Sequence, residues 1–182
     1  MINKCLFPVA GYGTRFLPAT KSMPKEMLPV VNKPLVQYGV EEALDAGLDD
    51  ICFVTGRSKR AIEDHFDLNF ELEHQIAGTG KEKYLESIQR VMDSASFSFT
   101  RQREMKGLGH AILTGRRLVG DQAFGVILSD DLCMPPEGGV GVMAQMVKLY
   151  KQFRCSIVAI QEVDGADIEK FGVVEGEKLK EG

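Results

Sequence analysis

Apolar residues recur along this chain in two rhythms. Ile2 to Val9, Ile51-Cys52-Phe53-Val54-Thr55 and Phe124 to Leu128 are short runs that are apolar at most positions. Runs of this kind suit strands covered on both faces. Phe97-Ser98-Phe99-Thr100 alternates like a strand, and 155–163 reads as another. Between these runs the spacing turns helical. One helix is predicted over Pro34 to Ala46, with Pro34 suited to a first turn and Gly47 to a stop. A second starts from Ser58 as a cap and runs through about His65. Two more fall at 68–76 and 81–93, broken by Gly78-Thr79-Gly80, with paired Glu and Lys that read as a solvated face. Gly109-His110 opens a helix to Leu118, and 138–153 suits a last one. Strands alternating with helices predict an α/β sandwich on a largely parallel sheet, with ligands outside the carboxyl ends of its strands.

The first strand runs directly into Ala10-Gly11-Tyr12-Gly13-Thr14-Arg15, followed by Lys21 and Pro24-Lys25-Glu26-Met27. Gly11 and Gly13 allow backbone N–H groups to turn inward as an anion-binding nest. Arg15 offers a planar fork for phosphate oxygens, and Lys21 and Lys25 offer point charges. The pattern departs from the better-known phosphate loops. Position 16 is Phe where a dinucleotide fingerprint has its third glycine, and no G-K-[ST] follows. A tight turn with lysines facing water is the plain alternative for the glycine pair alone.

Two other places carry candidate chemistry. Asp130 closes the run Val126-Ile127-Leu128-Ser129-Asp130-Asp131. A carboxylate after an apolar strand is a natural hard-oxygen ligand for Mg²⁺, and it is equally an ordinary turn residue. Asp131 is taken as a supporting or turn residue. Gln102 precedes Lys106-Gly107-Leu108-Gly109-His110. Its amide carries a donor and an acceptor side by side, which suits the hydrogen-bonding edge of a planar ring, and Gly107 lets backbone approach a flat base. A polar strand end before a helix is the other reading there. His110 reads as structural; His65 and His74 lie on charged helices and are expected to be exposed. No Ser-His-Asp or Cys-His arrangement stands out.

Bulk properties narrow the field. The 182 residues make one domain, 1–182, able to bury roughly 70% of its unfolded surface. A net charge of -4 gives no basic field, so no nucleic-acid partner is expected. No run reaches membrane-spanning length and the start lacks a signal core, so no membrane partner is expected. Cys5, Cys52, Cys133 and Cys155 show no C-x-x-C spacing and read as buried small hydrophobes, which fits a cytoplasmic protein.

The long stretch Gly11-Tyr12-Gly13-Thr14-Arg15-Phe16-Leu17-Pro18-Ala19-Thr20-Lys21, with Pro24-Lys25-Glu26-Met27-Leu28-Pro29-Val30 and Lys33-Pro34-Leu35, resembles the sugar-1-phosphate nucleotidylyltransferases. The Pro-Lys-Glu triplet favours the uridylyl branch over the thymidylyl one. The resemblance implies a three-layer, Rossmann-like nucleotidyltransferase fold, with a mixed, mostly parallel sheet and helices on both faces. It implies transfer of UMP from UTP to glucose 1-phosphate, giving UDP-glucose and pyrophosphate with Mg²⁺ as cofactor. Arg15, Lys25 and Asp130 become the catalytic candidates, with Asp130 also the metal ligand. Ala10, Gly11, Gly13, Thr14, Glu26, Gln102 and Gly107 become the nucleotide-binding candidates. Glu26 is placed near the uridine, since a carboxylate facing phosphates would repel them. Lys170-Phe171-Gly172-Val173-Val174 is similar to a family segment whose glycine lies by the sugar, so Gly172 is the sugar-binding candidate.

A later Glu-Lys-Pro segment and a second metal-binding aspartate, which the resemblance also implies, have no counterpart here. The chain thus reads as the amino-terminal portion of such a domain, ending in a strand, a turn and an unfinished return strand over 175–182. Apolar surface left open by missing strands favours self-association, and a homo-oligomer is expected. Transfer from dTTP and nucleotide binding without catalysis are the alternatives.

Overall fold

The computed structural model describes residues 2–165, 168–170 and 172–177. Four strands form one parallel sheet: β1 (Lys4–Pro8), β4 (Asp50–Thr55), β5 (Ser96–Arg101) and β6 (Phe124–Val126). A small antiparallel ribbon pairs β2 (Pro29–Val30) with β3 (Lys33–Pro34). The order across the sheet is β5-β4-β1-β6, with Leu6 opposite both Cys52 and Val126. Among the described residues seven α-helices lie outside the strands: α1 (Leu35–Asp45), α2 (Arg60–His65), α3 (Phe70–Ile76), α4 (Glu86–Ser94), α5 (Leu108–Thr114), α6 (Arg116–Val119) and α7 (Val142–Phe153).

The strands alternate their side chains between two cores, and both sets are apolar. Cys5, Phe7, Val9, Ile51 and Phe53 face one side, where Val36, Val40 and Ala43 of α1, Ile62 of α2, Val91 of α4 and Val147 of α7 meet them. Leu6, Cys52 and Val54 face the other, covered by Ala111 of α5 and Val119 of α6. The result is the expected three-layer α/β fold. Its handedness follows from the strand order. The steps β1 to β4 to β5 run one way along the sheet with helices on one face. The step from β5 back to β6 runs the other way with helices on the opposite face, as right-handed crossovers require. Chain order therefore reverses at β1, and the crevice between the carboxyl ends of β1 and β6 is the switch point where such sheets take ligands. Close packing supports this frame: a Cβ on Gly39 of α1 would lie 3.0 Å from Phe7 and 3.2 Å from Ile127.

Several expectations are corrected. Ser58 does not cap a helix; its backbone is left-handed at φ 65°, and α2 begins at Arg60 behind Lys59, whose side chain turns inward. The helix expected to run to Leu118 breaks at Gly115, which sits so close to the sheet that a Cβ would meet Leu6 at 2.6 Å. The helix expected from 138 begins at Val142, because Gly138 (φ 72°), Gly139 and Gly141 cannot hold a first turn. The strand expected over 155–163 is absent; no described strand pairs with it, and Val158 and Ile160 face solvent. Cys5 and Cys52 are buried as expected, but Cys133 and Cys155 are exposed because both sit outside the sheet. His65 is half-buried against Phe66 and Gln37, where burial lowers its pKa. Residues 172–177 form no strand, and 178–182 lie outside the described residues. Among the described residues no helix is long and apolar enough to cross a membrane.

Phe53 is fully buried, with its ring 5.2 Å from Phe7, 5.6 Å from Phe66 and 5.3 Å from Phe99. Phe53→Ala is predicted to lower the unfolding free energy by about 3–5 kcal/mol, read by urea denaturation. A loss under about 1 kcal/mol would mean that this cluster does not hold the sheet to its helices.

Candidate functional site

The chain stays in the sheet through Val9, whose N–H donates to Val54 O at 3.0 Å. After the buried Ala10 it emerges as an exposed loop of Gly11 to Ala19. Gly13 is left-handed at φ 66°, and a Cβ there would come within 3.0 Å of Lys25 Cβ, so only glycine suits the position. Its carbonyl accepts from Thr20 Oγ1 at 2.7 Å, which folds the loop back on itself. Short 3₁₀ turns follow at Thr14–Phe16 and Ala19–Lys21. Among the described residues, the N–H groups of residues 11–15 donate no hydrogen bond. They are left without a protein acceptor.

A further 3₁₀ turn, Lys25–Met27, sends two neighbouring side chains in different directions. Lys25 Nζ donates to Asp130 Oδ2 at 2.6 Å, and Arg15 NH2 stands 3.5 Å from the same oxygen. Asp130 is carried there by β6. Ile127 N–H still donates to Leu6 O at 3.1 Å, and Asp131 N–H closes a turn onto Leu128 O at 2.9 Å. Burial by itself raises the Asp130 carboxyl pKa, but the hydrogen bond and charge of Lys25, with Arg15 beyond, outweigh it and hold the group below its ordinary range. Arg15 is 84% exposed and so is free to leave for a ligand.

Glu26 goes the other way. It is 1% exposed, and its Oε2 accepts from the buried Lys59 Nζ at 2.6 Å. Burial raises its carboxyl pKa, and the Lys59 charge works against that rise. Among the described residues Oε1 has no partner. Glu26 thus faces an N–H donor that belongs to the protein itself.

A second group forms at the end of β5. Gln102 is buried, with its N–H on Thr55 O at 2.9 Å. Its Nε2 donates to Gly107 O at 3.3 Å and to His110 Nδ1 at 2.8 Å, which places the His110 proton on Nε2. Gly107, at φ 86°, precedes α5. The two groups meet at Gly56 after β4: a Cβ there would lie 2.8 Å from Ala10 O and 3.1 Å from Met105 Cε. Gly172 is exposed, with no hydrogen bond to either group among the described residues, and Phe171 lies outside them.

Arg15, Lys25 and Asp130 therefore touch, the Gly11–Thr14 loop adjoins them, and Gln102 with Gly107 stands across Ala10. Sequence reasoning missed Lys59, Gly56 and Met105. Only Gly56 carried a signal, as a glycine directly after an apolar strand. Among the described residues no three His, Cys, Asp or Glu converge as a metal cage. One strand-end carboxylate fits Mg²⁺, which takes one or two carboxylates and completes its shell with phosphates and water. Cavities of about 780 and 670 Å³ lie along β6 and α7 and between α1 and α4; neither is lined by Arg15, Lys25 or Asp130.

The Nucleotidyl transferase family matches residues 8–181. This chain belongs to that family. The UTP–glucose-1-phosphate uridylyltransferase of Pseudomonas aeruginosa is 67% identical over 181 residues, which are 100% of this chain and 64% of that protein. The chain thus spans a little under two thirds of the length of that curated relative. A crystal structure of apo UDP-glucose pyrophosphorylase superposes with a TM-score of 0.94 at 57% identity, over 100% of this chain and 66% of the other. A second, complexed with UDP-glucose, gives 0.89 at 54% identity, again over 100% and 66%.

A depressed carboxylate contributes stability that is present above its unfolded pKa, near 3.9, and is lost as pH falls through the lower folded value. Asp130→Asn is predicted to destabilise the chain at pH 7 by about 1–3 kcal/mol, a charged hydrogen bond's worth. The gap should close as the pH drops below about 4. Denaturation at pH 7 and pH 3 checks this; a gap equal at both pH values contradicts the pairing.

Proposed function

We propose that this chain supplies the nucleotide half of an enzyme that transfers UMP from UTP to glucose 1-phosphate, giving UDP-glucose and pyrophosphate. The observation that carries the reading is the contact of Lys25 with Asp130 across the switch crevice, beside free N–H groups and an exposed Arg15. The names of the relatives support the choice of UTP and glucose 1-phosphate.

A phosphate oxygen of the sugar phosphate attacks the α-phosphorus, a new P–O bond forms, and the bond to the β-phosphate bridge breaks as pyrophosphate leaves with the electron pair. Two anions must approach, and charge builds on the leaving group. The task is positioning and neutralisation, with no covalent nucleophile. The Gly11–Thr14 N–H groups and Arg15 hold the β- and γ-phosphates and receive the departing charge. Lys25 bridges the reacting phosphates, exchanging its carboxylate partner for phosphate oxygens. Mg²⁺ bound at Asp130 would supply charge neutralisation at the α-phosphate. Gln102 has its donor occupied by Gly107 and His110. Its free Oε1 is an acceptor, which matches the N3–H of uracil, and the Gly107 N–H is left for a ring carbonyl. Gly172 is assigned to the sugar by resemblance.

In calorimetric titration the chain is predicted to bind UTP with Mg²⁺ more tightly than dTTP. Equal or tighter binding of dTTP would remove the uracil assignment, and binding without pyrophosphate release from UTP plus glucose 1-phosphate would favour a non-catalytic module. Lys25→Ala is predicted to lower pyrophosphate release by about 10²-fold or more while UTP affinity changes by less than about tenfold, because it acts on developing charge. A loss confined to UTP affinity would contradict that role.

A further inference from the structure

The buried partner of Glu26 has no part in the chemistry above. Lys59 is 5% exposed, and it comes from the segment between β4 and α2, far along the chain from the turn it contacts. Its Nζ reaches Glu26 Oε2 at 2.6 Å. The turn Lys25–Met27 is otherwise tied locally: Met27 N–H donates to Pro24 O at 2.9 Å, and Leu28 N–H to Lys25 O at 3.1 Å. Met27 packs on the core, and Leu35 N–H holds Leu28 O at 3.0 Å. The Glu26–Lys59 bond adds an interior anchor on the side chain next to Lys25, from a part of the chain that the local bonds do not reach. A buried carboxylate cannot drift from its cation without a heavy desolvation cost, so the anchor is stiff. Lys25 is then left on the side of the turn that faces Asp130.

We propose that Lys59 is the positioning residue of the phosphate site: by clamping Glu26 it fixes the rotation of the turn Lys25–Met27 that presents Lys25 to Asp130. The value of the clamp rests on the reading of Lys25 and Asp130 as the phosphate site. An ion pair that merely stabilises the core would leave the Lys25–Asp130 contact indifferent to Lys59.

The test is lysine acetylation of the full 182-residue chain, followed by mass spectrometry. Lys25 should label slowly in the wild type because its ammonium is held on Asp130 and largely covered, with the exposed Lys21 as internal reference. In Lys59→Met, shown to be folded by circular dichroism, Lys25 is expected to label several-fold faster while Lys21 stays unchanged. A wild-type rate at Lys25 in the folded variant overturns the proposal. Should Lys59→Met fail to fold, Glu26→Gln combined with Lys59→Met removes both charges and leaves no buried ion unpaired, and the same two outcomes are read from it. UTP titration separates the two readings. If the wild type binds UTP, the folded variant should bind it within about tenfold of the wild type but release pyrophosphate from UTP plus glucose 1-phosphate at least about tenfold more slowly, because Lys25 acts on developing charge, and unchanged pyrophosphate release overturns the clamp's role. If neither binds UTP but Lys25 labelling still rises, the clamp stands and the nucleotide assignment falls.

Discussion

One contact joins the two halves of the site. Lys25 and Asp130 stand 105 positions apart in the chain, yet their side chains meet at 2.6 Å. They do so because β1 and β6 are neighbours in the sheet while the chain between them has gone out to β5 and returned. The loop after one strand and the carboxylate after the other thus close over the point where, among the described strands, chain order reverses. The carboxylate offsets part of the charge of a lysine and an arginine that would otherwise repel each other, and the cluster keeps a net positive charge. Under the proposed function a triphosphate entering the crevice takes over the cations, and Asp130 is then left as an oxygen ligand.

Magnitudes decide which of the charges can move. Arg15 is almost fully in water, and an ion pair of that kind contributes about 0–1 kcal/mol, so the arginine is easily recruited. Glu26 and Lys59 are almost fully excluded from water, and breaking such a pair costs about 3–5 kcal/mol, so they stay together. Lys25 lies between these limits. The turn Lys25–Met27 therefore has a fixed inner side and a responsive outer side, built from adjacent residues. Gln102 follows the same logic after β5, where His110 and Gly107 commit its donor and leave its acceptor.

The architecture was legible because strands buried on both faces leave a local trace. Ile51 to Thr55 are apolar at every position but the last, and they form β4. Glycine at positions 11 and 13 with cations after it was likewise a local signal, and Gly13 proves to be left-handed. What failed were features decided by distant partners. Ser58 looked like a cap until Lys59, drawn inward by Glu26, set the entry to α2. The 155–163 segment has a strand's composition, but strands exist in pairs and no described strand accepts it. Lys59 sits among polar neighbours in sequence and Glu26 between a lysine and a methionine, so nothing local announces that the two charges share the interior. Likewise the types Lys25 and Asp130 were readable, while their pairing needed the sheet order.

A crystal structure of this chain grown with UTP and Mg²⁺ tests the central claim most directly. The account predicts a triphosphate lying between the Gly11–Arg15 loop and Asp130, with Lys25 moved from the carboxylate to phosphate oxygens and Glu26 still on Lys59. A nucleotide bound elsewhere, or one bound there with the Lys25–Asp130 contact intact and no phosphate on Lys25, would contradict it.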